Sequence, residues 1–117
     1  MAETMKAIRV EQPGQGYRLV AGNIPRPAPG PGAVLIKVAA AGVNRADIAQ
    51  AMGAYPPPPG APKTLGLEVS GTIAAIGSGV SGHAIGDAVC ALLGGGGYAE
   101  YCVTLVTQAG ASPWPRQ

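Results

Sequence analysis

The side chains able to do chemistry are few in this chain of 117 residues, and three of them lie close together. Asn44 and Asp47 flank the start of a predicted helix, and Tyr55 lies in a proline-rich segment shortly after it. An amide and a phenol can donate hydrogen bonds to an oxygen that gains negative charge, and a carboxylate can hold neighbouring donors in place. Each residue also has a plain structural interpretation: Asn44 as a helix cap, Asp47 as a helix-start carboxylate and Tyr55 as a packing anchor.

Two other kinds of site are suggested by single motifs and rejected on their context. The segment Gly77–Gly82 matches the glycine pattern of a dinucleotide-binding turn, but that turn must open a helix, and the residues from His83 to Asp87 would break one. A zinc site needs three or four converging ligands, whereas the chain has one His and two Cys. We therefore predict no metal site.

Composition limits the class of protein further. Eight Lys and Arg against six Asp and Glu give a net charge of +2, and the basic residues are scattered, which argues against a nucleic-acid partner. No apolar stretch approaches the roughly 20 residues that span a bilayer, and no signal segment follows the N-terminus, so we expect no membrane partner. Cys90 and Cys102 lie in apolar runs and are expected to be reduced thiols, which favours a cytoplasmic protein.

The pattern of apolar runs and turn residues predicts a mainly β domain of the α+β kind, with one or two short helices, folded as a partly open barrel. Gly and Pro number 19 and 12, whereas 47% of residues are hydrophobic, so the chain is turn-dense and still able to form a core. The helix is predicted over Arg45–Met52. In the predicted strand Leu67–Ile76, Gly71 indicates a bulge or close packing. Six strands are predicted clearly: Met5–Val10, Tyr17–Val20, Ala33–Ala41, Leu67–Ile76, Asp87–Leu93 and Tyr98–Val106.

Four groups of residues, in order along the chain, resemble a known family. They are Ala41-Gly-Val-Asn-Arg-Ala-Asp-Ile48, then Tyr55-Pro-Pro-Pro-Pro-Gly60, then Leu65-Gly-Leu-Glu-Val-Ser-Gly71 with Ile76-Gly-Ser-Gly-Val80, and finally Gly86-Asp-Ala-Val89 with Gly97-Tyr-Ala-Glu-Tyr101. Together they are similar to the zinc-independent quinone oxidoreductases of the medium-chain dehydrogenase/reductase superfamily. The aromatic residue before the proline run is similar to that of the tumour-suppressor-inducible subgroup.

The resemblance implies a GroES-like catalytic domain over residues 1–107, followed by an irregular or frayed tail at 108–117. It implies NADPH as cofactor and a quinone as small-molecule substrate, with Asn44 and Tyr55 lining the nicotinamide and substrate cleft and Asp47 supporting catalysis. Zinc-dependent members have Cys where this chain has Asn44 and His where it has Leu67, so the resemblance also implies chemistry without zinc. Family members are commonly homodimers through a nucleotide-binding Rossmann domain, which is absent from this chain.

Three functions remain open from the sequence. The first is the catalytic-domain portion of an NAD(P)H-dependent quinone oxidoreductase, for which weak or no cofactor binding is expected of this chain alone. The second is a stand-alone, non-catalytic β-barrel that binds a protein partner. The third is a non-functional truncated product, for which poor folding is expected.

Overall fold

The structure is a computed structural model that describes residues 3–53 and 62–111. Over these ranges the chain forms seven strands, one α-helix and a single 3-10 turn at Val106–Gln108. The elements are β1 (Thr4–Glu11), β2 (Arg18–Pro25), β3 (Ala33–Ala41), α1 (Arg45–Ala51), β4 (Glu68–Ile76), β5 (Ala88–Leu92), β6 (Tyr101–Leu105) and β7 (Ala109–Ala111). The mainly β, α+β architecture predicted from the sequence is confirmed.

All strand pairs are antiparallel and form two sheets. Strands β1 and β2 make a hairpin, and the other five lie in the order β6-β3-β4-β5-β7. The hairpin joins the larger sheet near the start of β6, where Ala7 bridges Ala99 and the Ile8 N–H donates to the Tyr98 carbonyl at 2.8 Å. The strands thus form a curled, partly open barrel, as the sequence predicted.

The core lies beneath the centre of the larger sheet. Strand β3 has a partner on each side, and four successive residues, Ala33–Ile36, are buried, as expected for an apolar run without alternation. Branched and small aliphatic side chains from β3, β4, β5 and β6 fill the core, namely Val34, Ile36, Val69, Ile73, Val89, Ala91 and Cys102.

The pairing of β3 with β4 depends on Gly71, as the sequence predicted. A Cβ atom at Gly71 would overlap the Lys37 carbonyl oxygen, so only glycine lets the two backbones approach this closely. The register between the strands also shifts between Val38 and Ala40, which is the irregularity expected of a bulge. This bend in β3 lies just before the strand delivers the chain to the helix.

The two glycine-rich segments are held by backbone contacts. No helix follows Gly77–Gly82, and the Gly77 N–H donates to the Ala33 carbonyl at 2.8 Å, so this segment is a turn pinned to the start of β3. The segment Gly94–Gly97 is mostly buried. Its Gly96 N–H donates to the Thr64 carbonyl at 2.8 Å.

The structure differs from the sequence prediction at three strands, of which β6 begins at Tyr101 and not at Tyr98. Strand β2 extends to Pro25, beyond the predicted end at Val20, because all eight of its residues pair with β1. The tail expected to be irregular from Gln108 contains β7, since Ala109–Ala111 pair with β5. Residues 112–117 lie outside the described part of the chain. Cys90 and Cys102 are free thiols. Within the ranges described, no helix is long and apolar enough to cross a membrane.

The close approach at Gly71 generates a stability prediction. Gly71→Ala should lower the free energy of unfolding by about 2–3 kcal/mol, because the new methyl group overlaps backbone that can move only by disturbing β3. Gly16→Ala is the matched control, since a Cβ there meets nothing within 4 Å. Urea denaturation of both variants measures the difference, and equal midpoints would contradict the assignment of Gly71 as a required close contact.

Candidate active site

Asn44 and Asp47, the predicted site residues that the structure describes, lie at one end of the larger sheet. Strand β3 ends and β4 begins at this end, and the two are joined there by the Gly42 N–H, which donates to the Glu68 carbonyl at 3.1 Å. Asn44 follows β3 and Leu67 precedes β4, so the antiparallel pairing of the two strands brings these distant positions to the same end of the sheet. The arrangement explains how residues 23 positions apart can belong to one site.

Asn44 and Asp47 form the start of α1, as the sequence predicted. Asn44 is the N-cap, with an extended backbone at φ −124° and ψ 156°. Its N–H donates to Oδ2 of Asp47 at 2.9 Å, and the Asp47 N–H donates back to the Asn44 carbonyl at 3.0 Å. A carboxylate at the third helical position thus satisfies a backbone donor ahead of the helix and complements the positive end of the helix dipole.

Asp47 is also the centre of a larger hydrogen-bonded cluster. It is only 2% exposed, and it accepts bonds from three donors contributed by three separate segments. Besides the Asn44 N–H, the Gly66 N–H donates to Oδ1 at 3.2 Å and the Tyr98 hydroxyl donates to Oδ2 at 2.8 Å. A buried carboxylate must be satisfied in this way, because leaving it without donors is costly. Asp47 is therefore placed to hold other groups and is closed to a substrate.

Tyr98 is the residue of this cluster that sequence reasoning did not select. Its hydroxyl also lies 3.4 Å from the Gly42 carbonyl, at the end of β3. Burial raises the pKa of Tyr98 to about 12, and the hydrogen bond to Asp47 and the charges of Asp47 and Glu68 add to the shift. The hydroxyl therefore keeps its proton at neutral pH and acts as a donor. The only signal in the sequence was its place in the Gly97-Tyr-Ala-Glu-Tyr101 segment.

The third donor to Asp47, the Gly66 N–H, depends on the residue being glycine. Gly66 has a positive φ of 110°, and a Cβ on it would lie 2.6 Å from the Cα of Gly97 and the N of Tyr98. The two segments are further joined by the Tyr98 N–H, which donates to the Leu65 carbonyl at 2.9 Å. The absence of a side chain at Gly66 therefore lets its N–H and the Tyr98 hydroxyl reach the same carboxylate.

The other residues that the sequence analysis singled out are Tyr55, Asn44 and Leu67. Tyr55 lies in residues 54–61, outside the described ranges, so its position relative to Asn44 stays a prediction. Asn44 is half-buried at the helix start, and Leu67 offers no ligand atom. Within residues 3–53 and 62–111 no three His, Cys, Asp or Glu side chains converge on one point.

Cys102 has no feature of a nucleophile. It is 3% exposed in the core, and burial raises the pKa of its thiol to about 11. At neutral pH the sulfur therefore stays protonated.

Several apolar side chains near the site face outward. Val43, Ile48 and Met52 are 76%, 47% and 41% exposed, respectively, while the buried positions of α1 are Asp47 and Ala51. Beside this region a shallow cleft of about 450 Å³ is lined by Ala40–Gly42, Glu68–Ser70 and Cys90–Leu92. Asn44 lies two residues after Gly42 in sequence and is not part of this lining.

The architecture of antiparallel strands and one short helix is that of the GroES-like domain of alcohol dehydrogenases. The family model for the alcohol dehydrogenase GroES-like domain matches residues 30–115, and the chain belongs to this family.

Curated relatives include two reductases. The chain is 42% identical over 99 residues to acryloyl-coenzyme A reductase of Sulfurisphaera tokodaii, covering 84% of this chain and 29% of that protein. It is 40% identical over 102 residues to quinone oxidoreductase of Rattus norvegicus, covering 86% of this chain and 31% of that protein. The chain thus spans less than a third of the length of either relative.

Solved structures show the same fold. A thermostable alcohol dehydrogenase from Pyrobaculum aerophilum superposes with a TM-score of 0.84 at 30% identity, over 97% of this chain and 42% of that one. A mycobacterial quinone oxidoreductase superposes with a TM-score of 0.79 at 37% identity, over 93% of this chain and 34% of that one. The resemblance to the superfamily seen in the sequence is confirmed.

The buried position of Asp47 generates a second stability prediction. Asp47→Asn should cost about 3 kcal/mol of unfolding free energy, because an amide NH2 would face one of the three donors in place of an acceptor oxygen. Asp87→Asn is the control, since Asp87 accepts from the Ala84 N–H at 2.9 Å in a more exposed turn. Thermal or urea melts that shift equally for the two variants would contradict the special role of Asp47.

The raised pKa of Tyr98 generates a prediction at alkaline pH. The unfolded chain loses this proton near pH 10 and the folded chain near pH 12, so the stabilisation from Tyr98 is complete below pH 10 and is lost as the pH rises to 12. Tyr98→Phe should lack this loss, although Cys102 contributes a similar loss from pH 9 to about 11 in both proteins. Urea midpoints measured from pH 8 to 12 test this, and parallel curves would refute it.

Proposed function

We propose that this chain is the catalytic-domain portion of an NAD(P)H-dependent quinone oxidoreductase that transfers a hydride to a quinone, or a related electrophilic carbonyl, without zinc. The observation that carries the proposal is that Asn44 and Leu67 stand at the joined ends of β3 and β4, one after β3 and the other before β4. By the family resemblance these are positions of zinc ligands in the zinc-dependent members, and neither side chain here is a zinc ligand. The 40% identity to a rat quinone oxidoreductase supports the choice of substrate.

The proposed roles follow from the chemistry of each side chain. When bound, NADPH supplies the hydride, and negative charge develops on a quinone oxygen. A proton from solvent later neutralises this charge to give the hydroquinone. The amide of Asn44 donates a hydrogen bond to that oxygen, and the phenol of Tyr55 donates a second while its ring packs on the flat substrate. Asp47 does not touch the substrate and instead positions Asn44.

The described residues fit only the reacting end of the cofactor. The turn at Gly77–Gly82 is bonded to the start of β3 and opens no helix, so it is not suited to hold a diphosphate. Most contacts to NADPH would then come from a nucleotide-binding domain such as the relatives' additional length can supply. We therefore propose weak or no NADPH binding by these 117 residues alone and a soluble, cytoplasmic reductase as the parent.

A second candidate activity is reduction of an activated carbon–carbon double bond. The 42% identity to an acryloyl-coenzyme A reductase favours it. The same donors would then hydrogen-bond the thioester carbonyl oxygen while the hydride adds to the β-carbon and a proton to the α-carbon. An isolated interaction module and a non-functional product are the remaining alternatives.

The first experiment is the intact mass of the natural gene product from its own cells, followed by assays of that product. Consumption of NADPH with benzoquinone or phenanthrenequinone supports the proposal, and consumption only with acryloyl-coenzyme A supports the second activity. A natural product of 117 residues that melts cooperatively, binds a protein partner and consumes no NADPH would indicate an interaction module. A product of that length without a cooperative melt would indicate a non-functional one.

Substitutions in the natural gene product test the two proposed donors. Asn44→Ala should lower kcat/KM for the quinone about a hundredfold, the order of magnitude of losing one donor to a developing oxyanion. Tyr55→Phe should lower it about tenfold, since the ring stays and only the hydroxyl is lost. Asn23→Ala, exposed on β2, and Tyr17→Phe are controls and should leave it unchanged. Unchanged kinetics in either test variant would remove that residue from the mechanism.

A further inference from the structure

We infer that Tyr98 is a positioning residue for the active site, because its hydroxyl fixes the Asp47 carboxylate that in turn fixes Asn44. The inference deepens the proposed function and rests on it wherever activity is the measurement. Tyr98 is 51 residues from Asp47 in sequence and belongs to the segment that leads into β6. It would thus link a remote strand to the start of the helix that carries the proposed donor.

The link passes through a single oxygen atom. Oδ2 of Asp47 accepts both the Tyr98 hydroxyl at 2.8 Å and the Asn44 N–H at 2.9 Å, whereas Oδ1 accepts the Gly66 N–H at 3.2 Å. Two donors on one oxygen and a third on the other define the plane of the carboxylate. Tyr98 supplies the shortest of the three bonds and the one side-chain donor among them, so its loss would free the carboxylate to rotate.

The backbone of Tyr98 is itself held in place by hydrogen bonds on both sides. Its N–H donates to the Leu65 carbonyl at 2.9 Å, and its carbonyl accepts from the Ile8 N–H at 2.8 Å. Its backbone is therefore bonded to the segment before β4 on one side and to β1 on the other. A donor anchored on both sides can impose an orientation on a neighbouring carboxylate.

The consequence for Asn44 follows from its place at the N-cap. Asn44 has an extended backbone, outside the helix, and its N–H bond to Asp47 is a contact that ties it to α1. A rotation of the carboxylate would change the direction in which Asn44 enters the helix. Its amide would then move relative to a substrate, and small errors in the placement of a donor reduce the rate of the chemical step.

The decisive experiment is a double-mutant cycle on the natural gene product with benzoquinone and NADPH. Tyr98→Phe should lower kcat about tenfold and leave the KM for NADPH within about twofold, whereas Tyr101→Phe should change neither. Tyr101 is a matched control because its ring lies under Arg26 at 3.8 Å, a contact that the substitution keeps. In an Asn44→Ala background Tyr98→Phe should have little further effect on kcat. Full additivity of the two substitutions would overturn the inference.

A rescue variant and a spectroscopic measurement separate this inference from the proposed function. Replacing Tyr98 by para-aminophenylalanine keeps a donor at the same place and should restore most of kcat. In the full chain, the Asn44 amide proton signal should move in Tyr98→Phe and stay in Tyr101→Phe, whether or not quinone is reduced. If Tyr98→Phe does not fold, Tyr98→Met, which also removes the donor and keeps an apolar side chain in its place, should move that signal.

The two failures are then distinguishable. A moved Asn44 signal in a protein that reduces no quinone supports the positioning role and removes the proposed reaction. An unmoved signal, or an active protein whose kcat is insensitive to Tyr98→Phe, overturns the positioning role and leaves the proposed reaction standing.

Discussion

The buried carboxylate of Asp47 is the interaction on which the geometry of this end of the domain depends. A carboxyl group that is 2% exposed must be surrounded by hydrogen-bond partners, and its three donors come from three segments of the chain. The start of α1, the residues before β4 and the residues before β6 are therefore each required by the same group. If one segment moves away, the carboxylate loses a donor that water must replace, so the segments hold one another in place.

Backbone contacts between glycines supply the space that this cluster needs. Gly66 lies against Gly97, and Gly71 lies against the Lys37 carbonyl, so that strands and loops come closer than side chains would permit. The glycine-rich segments Gly77–Gly82 and Gly94–Gly97 likewise make backbone contacts. The Gly77 N–H donates to the Ala33 carbonyl, and the Gly96 and Gly97 N–H groups donate to the carbonyls of Thr64 and Gly66, so these donors are not free for a phosphate.

The elements that local patterns determine were predictable, and those that depend on distant partners were not. The continuous apolar run of β3 and the Asn44 cap of α1 follow from periodicity and capping preferences, and both are found where the sequence placed them. Strand β7 has only Ala and Gly, so it forms because β5 offers an edge, which no local signal reveals. The bond from Tyr98 to Asp47 was missed for the same reason, since it joins residues 51 positions apart.

The burial of Asp47 is compatible with the proposed reaction, in which negative charge develops on a substrate oxygen. An acidic side chain facing the substrate would oppose charge on the developing oxyanion. In the proposed site the Asp47 oxygens are occupied by three donors, so the carboxylate would support the Asn44 amide without presenting its own charge to the reacting oxygen. The two interpretations of Asp47, a helix-start carboxylate and a support for a donor, are compatible because the same bond to the Asn44 N–H would serve both.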